Sequence, residues 1–213
     1  MKKLSKIFYS IVFLLIFSTS ASSTGLSLPK VGGDSGGGGN IDEAKTKFTQ
    51  IFFESALNYM EAQFHLFNAL EMNDEAAKTK KSIDFVKDDK KKEGKRLTNA
   101  FNAVSENSDA IESALTDTAA TSAEAKEHYA KALPFAVKGI MGTIKLPPEA
   151  KSLLDTIKAD KMAALKLKDF VKVLPKIPDY VKTATKVGKL VVGGAKSRDV
   201  KGAKDAANEL GDL

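Results

Sequence analysis

Two glutamate–histidine pairs are the residues of this chain whose types and spacing could bind a metal. Glu61 precedes His65 by four residues, and Glu124 precedes His128 by four. Residues four apart lie on one face of an α-helix, so each pair presents a carboxylate and an imidazole together. If the two helices face each other, the four side chains form a metal site inside a bundle. Carboxylate-bridged di-iron bundles instead use Glu-x-x-His and further glutamates, so ordinary exposed i, i+4 pairs are the alternative.

A second group of residues could bind an anionic membrane. Between Leu133 and Lys172, lysines recur every few residues and Leu, Ile, Val and Phe fill the gaps, which is typical of an amphipathic surface that binds anionic lipid. A solvated lysine face on a soluble bundle is the alternative. The lysines predicted to contact the surface are Lys138, Lys145, Lys151, Lys158, Lys161, Lys168 and Lys172.

No pattern in the sequence supports catalysis. The chain has no cysteine, which excludes thiolate nucleophiles, disulfides, zinc–thiolate sites and an acylated lipoprotein N-terminus. The string GDSGG at residues 33–37 matches the string around the nucleophile of trypsin-like serine proteases, but that chemistry needs a histidine and a second aspartate on a β-barrel scaffold. We therefore predict a protein that is not an enzyme and has no cofactor, although carboxylate- or lysine-based catalysis stays open.

The N-terminus predicts export. Lysines at positions 2, 3 and 6 precede an 11-residue apolar stretch and then a run of small residues, as in a cleaved signal peptide over residues 1–21. The apolar stretch is shorter than the roughly 20 residues of a spanning helix. Residues 22–40 are glycine-rich and predict a flexible linker, and residues 41–213 predict a single domain. We expect a bacterial protein that is periplasmic or secreted, soluble and not lipid-anchored.

Charge is divided unevenly along the exported part of the chain. Residues 22–130 carry 13 basic and 18 acidic side chains, a net charge of −5, whereas residues 131–213 carry 17 and 9, a net charge of +8. Only Arg96 and Arg198 are arginine, and there is no tryptophan. Nucleic-acid recognition favours arginine, so we predict no nucleic-acid partner.

The apolar periodicity is helical throughout and predicts an all-α bundle of five to seven helices with a proline-kinked C-terminal half. Asn40 is the predicted cap of the first helix, Gly94 the predicted end of the second, and Thr121 the cap of the helix that holds Pro134. Gly193-Gly194 is predicted to end a later helix. The predicted core comprises Phe48, Ile51, Phe52, Tyr59, Phe101, Val104, Ile111, Leu133, Val137, Leu153, Leu154 and Ile157.

These observations favour one function class and leave two others open. An exported, non-catalytic bundle that binds an unknown protein or an apolar ligand is the first, since the aromatic residues of the first helix could line a groove as well as a core. A membrane-active protein that uses residues 133–172 is the second. A metal-binding bundle is the third.

Overall fold

The longest helix of the structure is α1 (Gly38–Ala69), which has 32 residues. The computed structural model describes residues 38–117 and 122–211, so the predicted signal peptide and most of the predicted linker lie outside the described residues. Apolar residues on two neighbouring faces of α1 leave it few solvent-facing positions, and it packs against the four helices that follow it in the chain. The helix begins two residues before Asn40, which is therefore not its cap.

The described residues form nine α-helices, one 3₁₀ turn and no strand, which confirms the all-α bundle. The number exceeds the predicted five to seven because residues 146–176 are divided into three helices and a 3₁₀ turn. After α1 the elements are α2 (Asn73–Lys87), α3 (Glu93–Asp117), α4 (Ala123–Thr143), α5 (Leu146–Ala159), α6 (Lys161–Lys166), α7 (Lys168–Val173), the 3₁₀ turn Leu174–Lys176, α8 (Ile177–Ser197) and α9 (Ala203–Gly211).

Several predicted helix ends differ from those observed. Gly94 is the second residue of α3 rather than the end of α2, because the chain already turns at Asp88, whose backbone is extended. Ser122, one residue after Thr121, caps α4 by accepting a hydrogen bond from the Ala125 N–H. Gly193-Gly194 does not end α8, which continues to Ser197.

Proline and aspartate divide the C-terminal half. Pro147 and Pro148 lie in the first turn of α5, where a missing N–H costs nothing. Asp160 ends α5 in an extended conformation, and its carboxylate accepts hydrogen bonds from the first N–H groups of α6. Pro175 lies in the 3₁₀ turn. Pro134 lies inside α4, which continues past it to Thr143.

One hydrophobic core joins the long helices. Nine of the twelve predicted core residues are buried, whereas Ile51, Phe101 and Leu154 are half-buried and pack against the margin of the core. Phe48, Phe52, Tyr59 and Phe67 are buried, so this part of the aromatic stripe of α1 is core and does not line a groove.

Helix α4 approaches α1 closely because small residues face it. The hydroxyl of Ser55 on α1 donates a hydrogen bond of 2.9 Å to the backbone oxygen of Gly139 on α4. Tyr59 of α1 occupies the space that a side chain at Gly139 would need, and Ser55 of α1 does so at Gly142. This contact fixes the position of α4 along α1.

A buried amide network joins α1 to α2 and α3. Gln63 Nε2 donates hydrogen bonds to the Val104 backbone oxygen at 3.1 Å and to Ser108 Oγ at 3.2 Å. Asn107 Nδ2 donates to Gln63 Oε1 at 3.1 Å and to Thr79 Oγ1 at 2.9 Å. These polar groups are satisfied in only one register of the three helices.

Candidate functional site

The two histidines meet across the interface between α1 and α4. The ring centroids of His65 and His128 are 6.0 Å apart, with an angle of 36° between the rings. Both Nδ1 atoms are inaccessible to solvent and have no hydrogen-bond partner among the described residues. The interpretation that the two helices face each other is confirmed.

The two carboxylates are placed differently from each other. Glu61 accepts a 2.8 Å hydrogen bond from the ammonium group of Lys87, whereas Glu124 lines a polar cavity of about 280 Å³ together with His128. Among residues 38–117 and 122–211, no group of three or more histidines and carboxylates is arranged to hold a metal ion. The structure therefore brings the two histidines together, and the four-residue metal site stays a prediction.

The environment of His65 favours its neutral form. Burial lowers the pKa of His65 below its ordinary value of 6.5, and His128 lowers it further. Glu61 raises the pKa of His65, whereas Lys131 lowers it, as His128 does. The ring is also held in place, since it lies 5.3 Å from Phe64 and 5.9 Å from Phe135, centroid to centroid.

We expect the folding stability of the metal-free protein to decrease as the pH falls below about 6.5. The unfolded chain binds a proton at His65 near pH 6.5, whereas the folded chain binds it only at lower pH. The contribution of His65 to the free energy of unfolding is therefore complete above pH 6.5 and is lost as the pH falls from 6.5 through the lowered pKa. Denaturant unfolding at pH 7.5 and 5.5 measures the decrease. The variant His65→Gln should show a smaller decrease over the same interval, and an equal one would assign the effect to other groups.

The predicted anionic-surface lysines are all exposed. No ion pair joins any of the seven to an acidic residue within the described part of the chain. Lys138 and Lys145 line a groove of about 570 Å³ that also contains Glu54 and Glu209, so that groove is mixed in charge. The remaining five lie on or beside α5, α6 and α7 and do not line that groove.

Helix α6 presents a surface that sequence reasoning missed. Met162 and Leu165 are 61% and 71% exposed, the highest fractions among the large apolar residues described. The sequence predicts one long helix that starts near Pro147 and carries both residues. The extended backbone at Asp160 separates α6 from α5, so α6 has its own orientation. Only Ala163 of the six residues of α6 is buried. The only signal for this was the aspartate itself, which is a helix N-cap residue.

We searched the described helices for a membrane span and compared the chain with known proteins. In the ranges 38–117 and 122–211, no helix has both the length and the apolar composition needed to cross a bilayer. No protein-family model matches the chain, and comparison with the curated proteins and with the solved structures found no match.

Proposed function

We propose that this protein is an exported, non-catalytic binding protein that docks on an anionic lipid surface through α6 and its flanking residues. The observation that carries the proposal is the exposure of Met162 and Leu165 on a six-residue helix bounded by Lys161 and Lys166. Protruding apolar side chains flanked by lysines are typical of surfaces that insert shallowly into a headgroup layer.

The charge of this segment supports an anionic target. Residues 158–172 contain five lysines, all of them exposed, and two aspartates. Asp160 is bonded to the N-terminus of α6, and Asp169 is half-buried beside Gly94 of α3. The lysines therefore dominate the potential that a membrane would meet. We name this surface, from Lys158 to Lys172, the α6 surface.

The expected affinity is modest and reversible. Burying one large apolar side chain contributes about 1.5–3 kcal/mol, and each lysine near an anionic bilayer contributes about 1 kcal/mol. Both contributions are partial at an interface, because neither side chain leaves water completely. Such binding weakens as salt screens the lysines.

Sedimentation with liposomes tests the proposal. The chain from Ser22 is used, because the apolar stretch of residues 7–17 would itself bind lipid. We expect binding to phosphatidylserine-containing vesicles at low salt, a marked loss at 0.5 M salt, and no binding to phosphatidylcholine vesicles. Equal binding to both lipids, or none to either, contradicts the proposal and makes a soluble partner the leading alternative.

Variants localise the contact. The double variant Met162→Gln/Leu165→Gln should bind anionic vesicles about tenfold more weakly, which corresponds to about 1.4 kcal/mol. Leu190→Gln on α8 is the matched control, since Leu190 is 40% exposed and lies outside the α6 surface. We expect the control to bind like the parent protein. A double variant with full affinity would place the contact elsewhere.

A further inference from the structure

We infer that His65 and His128 form a binding site for one divalent transition-metal ion at the interface between α1 and α4. The site is independent of the proposed lipid contact, and it uses the two imidazoles as its only protein ligands, with water in the remaining positions. Imidazole nitrogen suits zinc, nickel and copper ions, which accept open coordination positions.

The separation of the two rings fits a shared ion. A metal–nitrogen bond to imidazole is about 2.0–2.1 Å long, and each nitrogen lies slightly more than an ångström from its ring centroid. Two such ligands can therefore hold one ion with centroids separated by at most roughly 6.5 Å. The observed separation is 6.0 Å. The two rings come from different helices, so the packing of α1 against α4 fixes this distance.

The unpartnered nitrogens supply an energetic reason for a ligand. Nδ1 of His65 and Nδ1 of His128 are both buried without a hydrogen bond in the described structure. Leaving a buried polar atom unpaired costs about 1–3 kcal/mol. An ion bound between the rings takes a lone pair from each imidazole, and each ring then directs its N–H away from the ion.

The surroundings favour a cation and give it access. The polar cavity beside His128 is also lined by Glu71, Glu124, Asn68, Asn73 and Ser122. Two carboxylates make its local potential negative, while Lys131 opposes them from the same helix as His128. A neutral imidazole is the form that ligates a metal.

Calorimetric titration of the metal-free chain from Ser22 with Zn²⁺ and with Ni²⁺ tests the site. We expect one ion per chain at pH 7.5 and weaker binding at pH 5.5, where protons compete for the nitrogens. His65→Gln and His128→Gln should each weaken binding at least tenfold. The control Glu106→Gln, an exposed position on α3 that does not line the cavity, should bind like the parent.

A spectroscopic measurement keeps the proposal testable if a histidine variant fails to fold. In the parent protein, Zn²⁺ should shift the imidazole signals of both histidines in the NMR spectrum, and a chelator should reverse the shifts. Metal binding that persists in the double histidine variant, or Zn²⁺ that leaves both imidazole signals unchanged, overturns the inference.

Discussion

Phe52→Ala should destabilise the protein by about 3–5 kcal/mol, the usual cost of removing a phenyl ring from a packed core. The Phe52 side chain is fully buried. Its ring centroid lies 5.7 Å from those of Phe48 and Tyr180, which come from α1 and α8. The cavity left by the ring would therefore open where two long helices meet. Urea unfolding followed by circular dichroism measures the loss.

The neighbouring Phe53 is the matched control for this substitution. Phe53 is half-buried, and its ring packs against the guanidinium of Arg96, whose central carbon is 4.6 Å from the ring centroid. Phe53→Ala removes the same atoms but creates less cavity, so we expect a loss of about 1–2 kcal/mol. Equal losses at the two positions would mean that the aromatic cluster around Phe52 is not the centre of the core.

Gly139→Ala should destabilise the protein by about 2 kcal/mol or more, although alanine is the better helix former. A methyl group at Gly139 would lie 2.9 Å from Cδ2 of Tyr59 and 3.1 Å from the Tyr59 backbone nitrogen. The backbone of α1 cannot yield locally, so α4 would have to move away from it. Thermal and urea unfolding should both report the change.

Gly193→Ala separates this steric effect from helix propensity. Gly193 lies within α8, and apart from its chain neighbours and the backbone of the adjacent turns no atom lies within 4 Å of the position its methyl group would take. Alanine should therefore stabilise the protein by about 0.5–1 kcal/mol. If Gly139→Ala also stabilised the protein, the close approach of α4 to α1 would be contradicted.

The sequence predicted the fold class and most of the core, because helical periodicity directly reflects which face of a helix is buried. It located helix ends less well. Gly94 and Gly193 were interpreted as helix ends, yet both lie inside helices. Glycine at Gly94 instead makes room for Asp169, and such a long-range contact leaves no local trace in the sequence.

The candidate sites were predicted in part. The i, i+4 spacing placed His65 and His128 on helix faces, but only the packing of α1 against α4 shows that they meet. The exposure of Met162 and Leu165 was not predicted, because the apolar spacing was interpreted as one helix and does not show that the helix is divided at Asp160. The turn at Asp160 determines that α6 exposes these two side chains to solvent.

The length of α1 sets the distance between the two proposed sites. Ile41 and Asp42, near its beginning, line a cavity with Met162 and Lys166 of the α6 surface. His65 lies 24 residues farther along the same helix, or roughly 36 Å at 1.5 Å per residue. This span exceeds the thickness of a lipid headgroup layer, so α1 acts as a rigid spacer. A protein docked through α6, with α1 upright, would hold the proposed metal site beyond the headgroup layer, where ions could reach it only through the polar cavity beside His128.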